Sequence, residues 1–578
     1  MLSDVIKTFE KIYRDIGETC ITDSYVPADG EYIIVDVSGE EFKELDRIDI
    51  KQDKKTKKID TTNYHFSFIR QADYMSKLID MNKPIDGKKV IHSNNYFTFF
   101  VKKENINNGK LNNTVIEEYY SILKNPLLKY TESKSKSRKL YLELEGKNGK
   151  PNQTRIEKIQ KWIVDNIHDL VPKDNKDKTY LKIFFKYDLE EYRKESEKYI
   201  LTNIYNSNDF NISIDNQIYG LPNDNMGLNA KKPYLENKTR KTKVPFLLSQ
   251  DEVLMQKKFF DYLMNQVSIG KTNIYINEDE IKAFSNDEML DEDFSGYYLR
   301  AKKGKEVEIH DFDTIVIYKP NINPINIVNA LQIEKAKITY GKVYNLKDLK
   351  NIINEVFFSK FLTSNYFTEA KDLNINDSSL KKNILLARTT LFNWFYKGNW
   401  SNVWKVLDWS SLDLIKGSIH NGYIPRAIEQ FNLRVSLESY FEGEENMADV
   451  LMGIKNSLRE KISGEGTAYI ENDREYYFAV GQLASYFISL SRGKTKMHSL
   501  ANPIINAKSD NRIKDELRRM FKKYNYTIKT NRRRFKNLYA MVASYATEGK
   551  VYEDLIIAGY LHSNLIYEKL NGEDNGDE

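Results

Sequence analysis

The chain has 578 residues, too many for one hydrophobic core, and its 88 Lys and Arg against 83 Asp and Glu leave a net charge of only +5. Hydrophobic residues make up 40% of the chain and aromatic residues 12%, which excludes general disorder. The single cysteine, Cys20, excludes an internal disulfide and any zinc site that needs two thiolates. No apolar run reaches the length of a membrane span and the first residues do not form a signal peptide, so we expect a cytoplasmic protein that does not enter a membrane.

The first part of the chain predicts a mixture of helices and strands. Apolar residues at helical spacing predict helices over residues 1–17 and 251–267. Polar stretches at residues 134–139 and 147–152 predict loops. Runs rich in β-branched and aromatic residues predict strands over residues 31–37, 89–101, 181–187, 211–219, 273–277, 314–318 and 333–340.

From about residue 346 onwards the sequence predicts helices only. Leu349, Ile353 and Val356 recur at helical spacing, and similar apolar stripes continue to residue 566. Gly443 marks a break before a last block of about five helices, which we expect to form a bundle. The predicted fold class is α+β, with a mixed α/β N-terminal region and an all-helical C-terminal region that ends in a helical bundle. The predicted domains are residues 1–345, 346–446 (a helical connecting region) and 447–578 (the bundle).

The strongest signal of function is a basic stretch over residues 492–536. It holds fifteen Lys and Arg against three acidic residues, a local charge of +12, so the rest of the chain sums to −7. Such a charge density on an otherwise acidic chain is typical of a surface that binds nucleic acid phosphates. The alternative is an ordinary solvated helix, although such helices usually alternate Glu with Lys. One apolar stripe at helical spacing runs through the stretch: Ile513, Leu517, Met520, Phe521 and Tyr524.

Two further segments are candidates for nucleic-acid contact. Asn94 and Asn95 precede an aromatic strand that Lys102 and Lys103 follow, and carboxamides can contact base edges while lysines hold phosphates. A turn before a buried strand is an equally good interpretation of the two asparagines. Residues 223–243 predict a phosphate-binding loop, with a merely solvated loop as the alternative. The candidate phosphate ligands in this loop are Lys231, Lys232, Lys238, Arg240, Lys241 and Lys243.

Enzyme chemistry has little support in the sequence. The seven His residues are dispersed, and the sequence has no Gly-rich loop of a nucleotide hydrolase and no serine-hydrolase elbow. The dipeptides His168-Asp169 and His310-Asp311 suggest metal-dependent nuclease chemistry, but no further His or Asp nearby completes a ligand set. We therefore expect a binding protein without catalytic residues, metal or cofactor.

Five segments carry a resemblance to a known family. They are SNNYFTFFVK (residues 93–102), KKPYLENKTRKTKVPFLL (231–248), YYFAVGQLASYFISLSRGKTK (476–496), the basic helix, and LIIAGYLHSNLIY (555–567). Together they resemble the large subunit of the type I-B CRISPR-Cas surveillance complex, Cascade. The patterns are diffuse and spread across most of the chain. Some members of this family carry paired cysteines in the middle region, which this chain lacks.

The resemblance implies a non-catalytic subunit that binds the 5′ handle of the crRNA and recognises the protospacer-adjacent motif in double-stranded target DNA. It also implies that the subunit aids R-loop formation, contacts other Cascade backbone subunits and recruits a helicase-nuclease in antiviral defence. On this resemblance Asn94, Asn95, Lys102 and Lys103 contact the motif or the handle. The residues expected to hold the opened DNA strand are Arg492, Lys494, Lys496, Lys514, Arg518, Arg519, Lys522, Lys523, Arg532, Arg533, Arg534 and Lys536.

The bundle itself resembles the Cascade small subunit, which family members can translate separately from an internal start. Met447 is a candidate start because residues 442–445 (EGEE) require purine-rich codons that resemble a ribosome-binding site, and Met452 is a second candidate. Two other functions stay open at this point. One is a stand-alone metal-dependent nuclease or RNA-processing enzyme, and the other is a nucleic-acid-binding protein outside CRISPR systems.

Overall fold

The chain folds into two compact units. Unit 1 comprises Met1–Glu288 and Ser295–Thr314, and unit 2 comprises Met289–Phe294 and Ile315–Glu578. Helix accounts for 51% and strand for 15% of the chain, with a mixed first part and an all-helical last part, so the predicted α+β class is confirmed. The division into three domains stays a prediction. The computed structural model describes residues 2–172, 177–215, 217–223, 234, 236–304, 306–443, 447–528, 532–547 and 549–568.

A four-stranded sheet lies at the centre of unit 1. Its strands are β1 (Gly30–Asp36), β2 (Lys43–Ile50), β3 (Thr98–Lys102) and β4 (Tyr180–Phe185), in the order β2-β1-β4-β3. β1 runs parallel to β4, whereas the other two pairs are antiparallel. Ile33 and Ile34 point to opposite faces of β1 and are both buried, which explains the unbroken apolar run of this strand. The first residue of β1 has to be a glycine, Gly30, because a Cβ there would lie 2.4 Å from the carbonyl oxygen of Tyr180.

Helices and smaller sheets make up the rest of the first part of the chain. The helices are α1 (Leu2–Ile16), α2 (Thr19–Thr22), α3 (Phe66–Ser76), α4 (Lys103–Asn107), α5 (Asn113–Lys124), α6 (Ser135–Asn148), α7 (Gln153–Asn166), α8 (Leu189–Asn203) and α9 (Gln250–Ser268). One small sheet consists of β5 (Ile212–Ile214), β6 (Gln217–Gly220) and β7 (Leu248–Ser249). The other has the order β11-β10-β8-β9 and consists of β8 (Asn273–Ile276), β9 (Ile281–Phe284), β10 (Phe294–Lys303) and β11 (Val307–Tyr318).

The described part of unit 2 contains the end of β11, an antiparallel pair of strands and many helices. The pair is β12 (Asn321–Ile327) and β13 (Gly341–Asn345). Its first helices are α10 (Leu346–Val356), α11 (Ser378–Lys397), α12 (Val403–His420) and α13 (Ile424–Glu442). The bundle follows with α14 (Met447–Ser463), α15 (Asp473–Ser489), α16 (Asn502–Ile505), α17 (Asp510–Tyr524), α18 (Arg533–Ser544) and α19 (Glu553–Leu561). The hydrophobic core of the bundle is continuous with side chains of α12 and α13, among them Ile415, Phe431 and Val435.

Two glycines bring α15 and α19 into contact at the centre of the bundle. A Cβ added to Gly481 would lie 2.1 Å from the carbonyl oxygen of Ile556, and one added to Gly559 would lie 2.0 Å from that of Phe478. The buried Gln482 donates a hydrogen bond to the carbonyl oxygen of Gly559 at 2.6 Å. The two helix backbones can touch because neither glycine carries a side chain.

Most of the predicted elements are confirmed with shifted ends, but the strand predicted over residues 333–340 is wrong. One amide of this segment and one amide just before it donate to side chains of α13. Glu429 accepts from the amide of Lys337, and Asn432 accepts from the amide of Leu331 at 3.0 Å. At these two amides, side-chain acceptors of α13 take the place of the strand partner that local propensity predicts.

Three other differences concern the first part of the chain. The predicted loop over residues 134–139 is wrong because α6 begins at Ser135 and buries Leu140 and Leu144 on one face. Of the strand predicted over residues 89–101 only the end, from Thr98, joins the central sheet. β2 had no apolar run to reveal it because it is an edge strand with mostly exposed, charged residues.

Candidate nucleic-acid interface

α17 directs its apolar residues into the bundle and most of its basic residues towards solvent. The predicted stripe is confirmed in the structure. Half-buried Phe521 stacks on Phe535 of α18 with 6.3 Å between the ring centroids, which joins the C-terminal end of α17 to the N-terminal end of α18. The fully buried members of the stripe are Ile513, Leu517, Met520 and Tyr524.

Six cations around this junction are exposed and have no carboxylate partner among the residues that the structure describes. They lie after α15, at the end of α17 and at the start of α18. Without neighbouring carboxylates, their charges add to a positive field at the surface. We call these six residues the cationic surface: Arg492, Lys494, Lys522, Lys523, Arg532 and Lys536.

Three more of the predicted cations are exposed but form ion pairs. Arg518 pairs with Asp515 and Arg519 with Glu516, each at 2.9 Å and three residues apart on α17. Arg533 of α18 likewise pairs with an exposed Glu at 3.2 Å. Exposed pairs of this kind contribute about 0–1 kcal/mol each, so a phosphate can compete with the carboxylate.

Lys514 serves the fold rather than the surface. Its ammonium group is largely buried, pairs with Asp510 at 3.0 Å and donates to the backbone carbonyl of Tyr545. It thereby connects α17 to the end of α18. The sequence prediction that Lys514 contacts a DNA strand does not fit this placement, because its donors are already used inside the bundle.

Lys496 and Arg534 have similar internal roles. Lys496 donates to the carbonyl oxygen of Ser489 at 2.8 Å and so closes the loop after α15. Arg534 donates to the backbone carbonyl of Glu568, which holds the segment after α19 against α18. Both residues are half-buried, so their expected role in binding a DNA strand does not fit their contacts either.

Two exposed tyrosines accompany the cationic surface, and sequence reasoning missed both. The guanidinium of Arg492 lies 5.1 Å from the ring centroid of Tyr526, and that of Arg532 lies 5.1 Å from the ring centroid of Tyr567. The tyrosines remain 62% and 44% exposed. Rings next to cations offer stacking faces to nucleobases. The nearby lysines and tyrosines of residues 522–526 were the sequence signal that could have indicated Tyr526.

The N-terminal end of α18 concentrates positive charge. Arg532 is the N-cap residue and makes no capping hydrogen bond with its side chain, and the first turn contains no acidic residue. Because the helix dipole is positive at this end, cations here are unfavourable in the free protein and an anion is favoured.

Asn94 and Asn95 lie inside unit 1, only 2% and 1% exposed. Asn94 donates to the carbonyl oxygens of Met75 at 2.8 Å and Lys77 at 2.9 Å, and the side-chain carbonyl of Asn95 accepts from the amide of Phe97 at 2.9 Å. These bonds fasten the end of α3 to the chain that leads into β3. The alternative interpretation, a turn before a buried strand, describes this arrangement, and direct contact with a DNA motif does not.

The two lysines that follow differ in exposure. Lys103 is buried between Glu31 at 3.1 Å and Asp177 at 2.9 Å. Burial alone would lower the pKa of Lys103, but the hydrogen bonds to the two carboxylates raise it above its usual value. Lys103 is therefore a structural residue. Lys102 is partly exposed, with Glu104 at 3.8 Å, and is the one residue of this candidate group that can reach a ligand.

The predicted phosphate-binding loop falls partly outside the described residues, which do not include Lys231 and Lys232. Its other basic residues are exposed, and the ammonium group of Lys243 lies 5.2 Å from the ring centroid of Phe210. Their role in phosphate binding stays a prediction. These residues are Lys238, Arg240, Lys241 and Lys243.

The His-Asp dipeptides are not assembled into a metal centre. Both His168 and His310 are exposed, and the imidazole of His310 lies 3.5 Å from the carboxylate of Glu308. Among the described residues, no three His, Cys, Asp or Glu side chains lie close enough together to hold a metal ion. The structure thus provides no geometric support for metal-dependent nuclease chemistry at either dipeptide.

Met447, the candidate internal start, is the first residue of α14. Gly443 ends α13 in a left-handed conformation with φ of 67°. A polypeptide that began at Met447 would therefore contain all of α14, whereas one that began at Met452 would lack its first turn.

Comparison of the chain with protein-family models, with curated proteins and with solved structures finds no match. The resemblance to the Cascade large subunit therefore stays a hypothesis. Of the helices that the structure describes, none is long and apolar enough to cross a membrane.

Proposed function

We propose that this protein binds nucleic acid through the cationic surface, as the non-catalytic large subunit of a cytoplasmic type I-B CRISPR surveillance complex. The observation that carries the first half of this proposal is the group of six exposed cations without carboxylate partners around the ends of α15, α17 and α18. Each such cation releases a condensed counterion when it neutralises a phosphate, and this release drives binding.

An unpaired strand suits this surface better than a duplex. Tyr526 and Tyr567 each combine an exposed ring with an arginine. Bases can stack on such rings only when they are free of their complementary strand. This chemistry supports the opened strand of target DNA as the ligand.

The second half of the proposal rests on the sequence resemblance. In it, the subunit binds the 5′ handle of the crRNA, recognises the protospacer-adjacent motif, aids R-loop formation and recruits the helicase-nuclease. The small subunit translated from Met447 and the other backbone subunits are its partners. Asn94 and Asn95 are not assigned to the motif because both are buried. The candidates for phosphate contact are the partly exposed Lys102 and the exposed loop cations Lys238, Arg240, Lys241 and Lys243.

The test of nucleic-acid binding is the salt dependence of affinity. Lys522→Gln, Lys523→Gln, Arg532→Gln and Lys536→Gln are combined in one variant, and binding of a fluorescent single strand is measured between low and high salt. We expect the slope of log K against log salt to fall by about three, because four phosphate contacts are lost.

The control carries the same charge change elsewhere in the chain. It combines Lys51→Gln, Lys54→Gln, Lys55→Gln and Lys58→Gln, all at exposed residues of unit 1. Equal slopes for the two variants and the unchanged protein would contradict the assignment.

The test of the complex is co-expression with the neighbouring genes of the locus and a guide RNA, followed by purification through a tag on this chain. We expect RNA and further subunits to co-elute and to bind guide-matched duplex only beside a particular flanking motif, without cleavage. A monomer that binds nucleic acid regardless of such a motif would agree with binding by the cationic surface but would contradict membership of a surveillance complex.

A further inference from the structure

A groove in unit 2 that shares no residue with the cationic surface has the chemistry of a nucleotide site. It has a volume of about 490 Å³, and small-molecule sites span roughly 300–1,000 Å³. We propose that this groove binds a nucleobase together with its 5′-phosphate. The lining residues that the proposal uses are Lys319, Asn321, Asn323, Trp394, Trp400 and Tyr440.

Trp400 supplies an exposed flat surface on a rigid turn. Gly398 and Asn402 adopt left-handed conformations, with φ of 72° and 60°, on either side of it. The amide of Val403 donates to the carbonyl oxygen of Trp400 at 3.2 Å, which closes the turn. The side chain of Trp400 nevertheless stays 68% exposed. An indole held in this way offers a stacking face with little loss of conformational freedom on binding.

A second aromatic group forms a wall of the groove. Trp394 is buried and its ring centroid lies 5.7 Å from that of Phe441, which stacks in turn near Trp404 at 6.0 Å. Tyr440 and Phe441 both line the groove. Because these rings are packed against one another, the wall keeps its shape when the groove is empty.

The polar side of the groove comes from the start of β12. The pairing of β12 with β13 breaks between Asn321 and Ile325, so the residues in between leave the regular ladder. Asn321 and Asn323 are exposed, and their carboxamides have no hydrogen-bond partner among the described side chains and backbone groups. A carboxamide both donates and accepts, as the edge of a nucleobase does.

Charge favours an anionic ligand. Lys319 is exposed and lacks a carboxylate partner within the described part of the chain, and the lining of the groove includes no Asp or Glu. A phosphate next to the stacked base would meet this ammonium group. A purely apolar ligand would leave Lys319 and both carboxamides without a contact.

The ligand can be a free nucleotide or an unpaired nucleotide of a strand, since both present the same base and phosphate. The inference goes beyond the proposed function because it depends on the groove alone. The four-Gln variant of the cationic surface is expected to keep nucleotide binding in the groove. The two binding sites can therefore be confirmed or rejected separately.

Photo-cross-linking tests the groove in the full chain. The probes are 5-iodouridine, 5-iodouridine 5′-monophosphate and a ten-nucleotide single strand with one 5-iodouridine, and mass spectrometry locates the cross-linked residue. We expect the monophosphate, the strand or both to cross-link at Trp400 or Tyr440. The dependence of yield on probe concentration then identifies which source the groove accepts.

Substitutions make the result specific. Trp400→Ala is expected to weaken this binding roughly five- to hundredfold, in line with the loss of one stacked base. Trp409→Ala is the matched control because Trp409 of α12 is 72% exposed but does not line the groove. Lys319→Gln is expected to weaken binding of the monophosphate about tenfold and to leave the nucleoside unchanged.

Two results overturn the proposal. One is the absence of a cross-link in the groove with all three probes. The other is an equal yield for the unchanged protein, Trp400→Ala and Trp409→Ala. Because Trp400 and Lys319 are exposed, the variants are expected to fold, and an unchanged melting temperature confirms it.

Discussion

Arg434 of α13 and Asp554 of α19 form an ion pair inside unit 2, with 3.2 Å between the guanidinium nitrogen and the carboxylate oxygen. The same guanidinium pairs with Asp408 of α12 at 2.7 Å. The side chain of Arg434 is almost fully buried. One buried cation therefore links three helices, α12, α13 and α19.

Arg434→Met is expected to destabilise unit 2 strongly. The substitution removes the hydrogen bonds from the buried guanidinium to the partly exposed carboxylates of Asp408 and Asp554, and each hydrogen bond to a charged group contributes about 1.5–3 kcal/mol. Arg518→Met is the control, because the exposed pair with Asp515 contributes at most about 1 kcal/mol. Urea unfolding gives both values. If the free energy of unfolding falls equally in the two variants, the ion pair between Arg434 and Asp554 does not stabilise unit 2 more than an exposed pair does.

Gly481→Ala is expected to lower the free energy of unfolding by about 3 kcal/mol or more. The added methyl group meets backbone atoms of α19, which cannot rotate away as a side chain could. Gly453→Ala provides the control, since a Cβ at this residue of α14 has no atom within 4 Å. That substitution should stabilise the protein by about 0.5–1 kcal/mol, because alanine favours helix. Loss of stability in both variants would disprove the contact between α15 and α19.

Acid should destabilise the protein through His562. Burial, aided by nearby Lys455, lowers the pKa of this imidazole from 6.5 to about 4. The unfolded chain therefore binds the extra proton between those two pH values, so stability falls as the pH falls through this range. The loss reaches about 3 kcal/mol at its full extent.

Comparison with His562→Gln measures this contribution. Unfolding free energies at pH 7 and pH 5 should differ less in the variant than in the unchanged protein. Asn113→Ala, which replaces an exposed side chain that does not ionise, should keep the original difference. A pH dependence that survives in His562→Gln would assign it to other groups.

Asn94→Ala is expected to impair folding without affecting nucleic-acid binding directly. It removes the donor that Asn94 supplies to the carbonyl oxygens of Met75 and Lys77, and although Ser196 still donates to Met75, the loss costs about 1–3 kcal/mol. Asn113→Ala, at an exposed residue of α5, should be nearly neutral. Affinity is compared well below the melting temperature. A folded Asn94→Ala variant that no longer recognises a flanking motif would restore the direct role that the structure argues against.

Tyr526→Ala should weaken binding to a single strand more than binding to a duplex. Stacking of one base contributes about 1–3 kcal/mol, and only unpaired bases can stack. Tyr469→Ala is the control because Tyr469 is similarly exposed but lies outside the cationic surface. Anisotropy titrations with both ligands give the ratio. Equal weakening for strand and duplex would contradict base stacking and limit Tyr526 to positioning Arg492.

The sequence predicted those features that depend on residues close together in the chain. The spacing of Ile513 and Leu517 predicted which face of α17 is buried, and the density of Lys and Arg predicted where positive charge is exposed. The sequence could not predict which cations the fold uses. Lys514 and Lys522 lie on the same helix, but one of the two partners of Lys514 is a carbonyl 31 residues away.

The same limit explains the asparagines and the missed aromatic residues. Asn94 reaches a carbonyl 19 residues earlier, a contact that no local pattern encodes. Tyr567 lies next to Arg532 only because the segment after α19 returns to α18. Neither charge nor periodicity in the sequence indicated a role for Trp400, because the turn around it depends on the backbone conformations of its neighbours.

Because the hydrophobic core of unit 2 is continuous, it affects the stability of any fragment whose translation begins at Met447. Such a fragment keeps α14 to α19 but loses Ile415, Phe431 and Val435, which belong to the same core. It also leaves Asp554 without Arg434. Such a fragment would expose to solvent an apolar surface next to an unpaired carboxylate. We therefore expect a fragment made from Met447 to aggregate or be degraded unless another chain covers this surface.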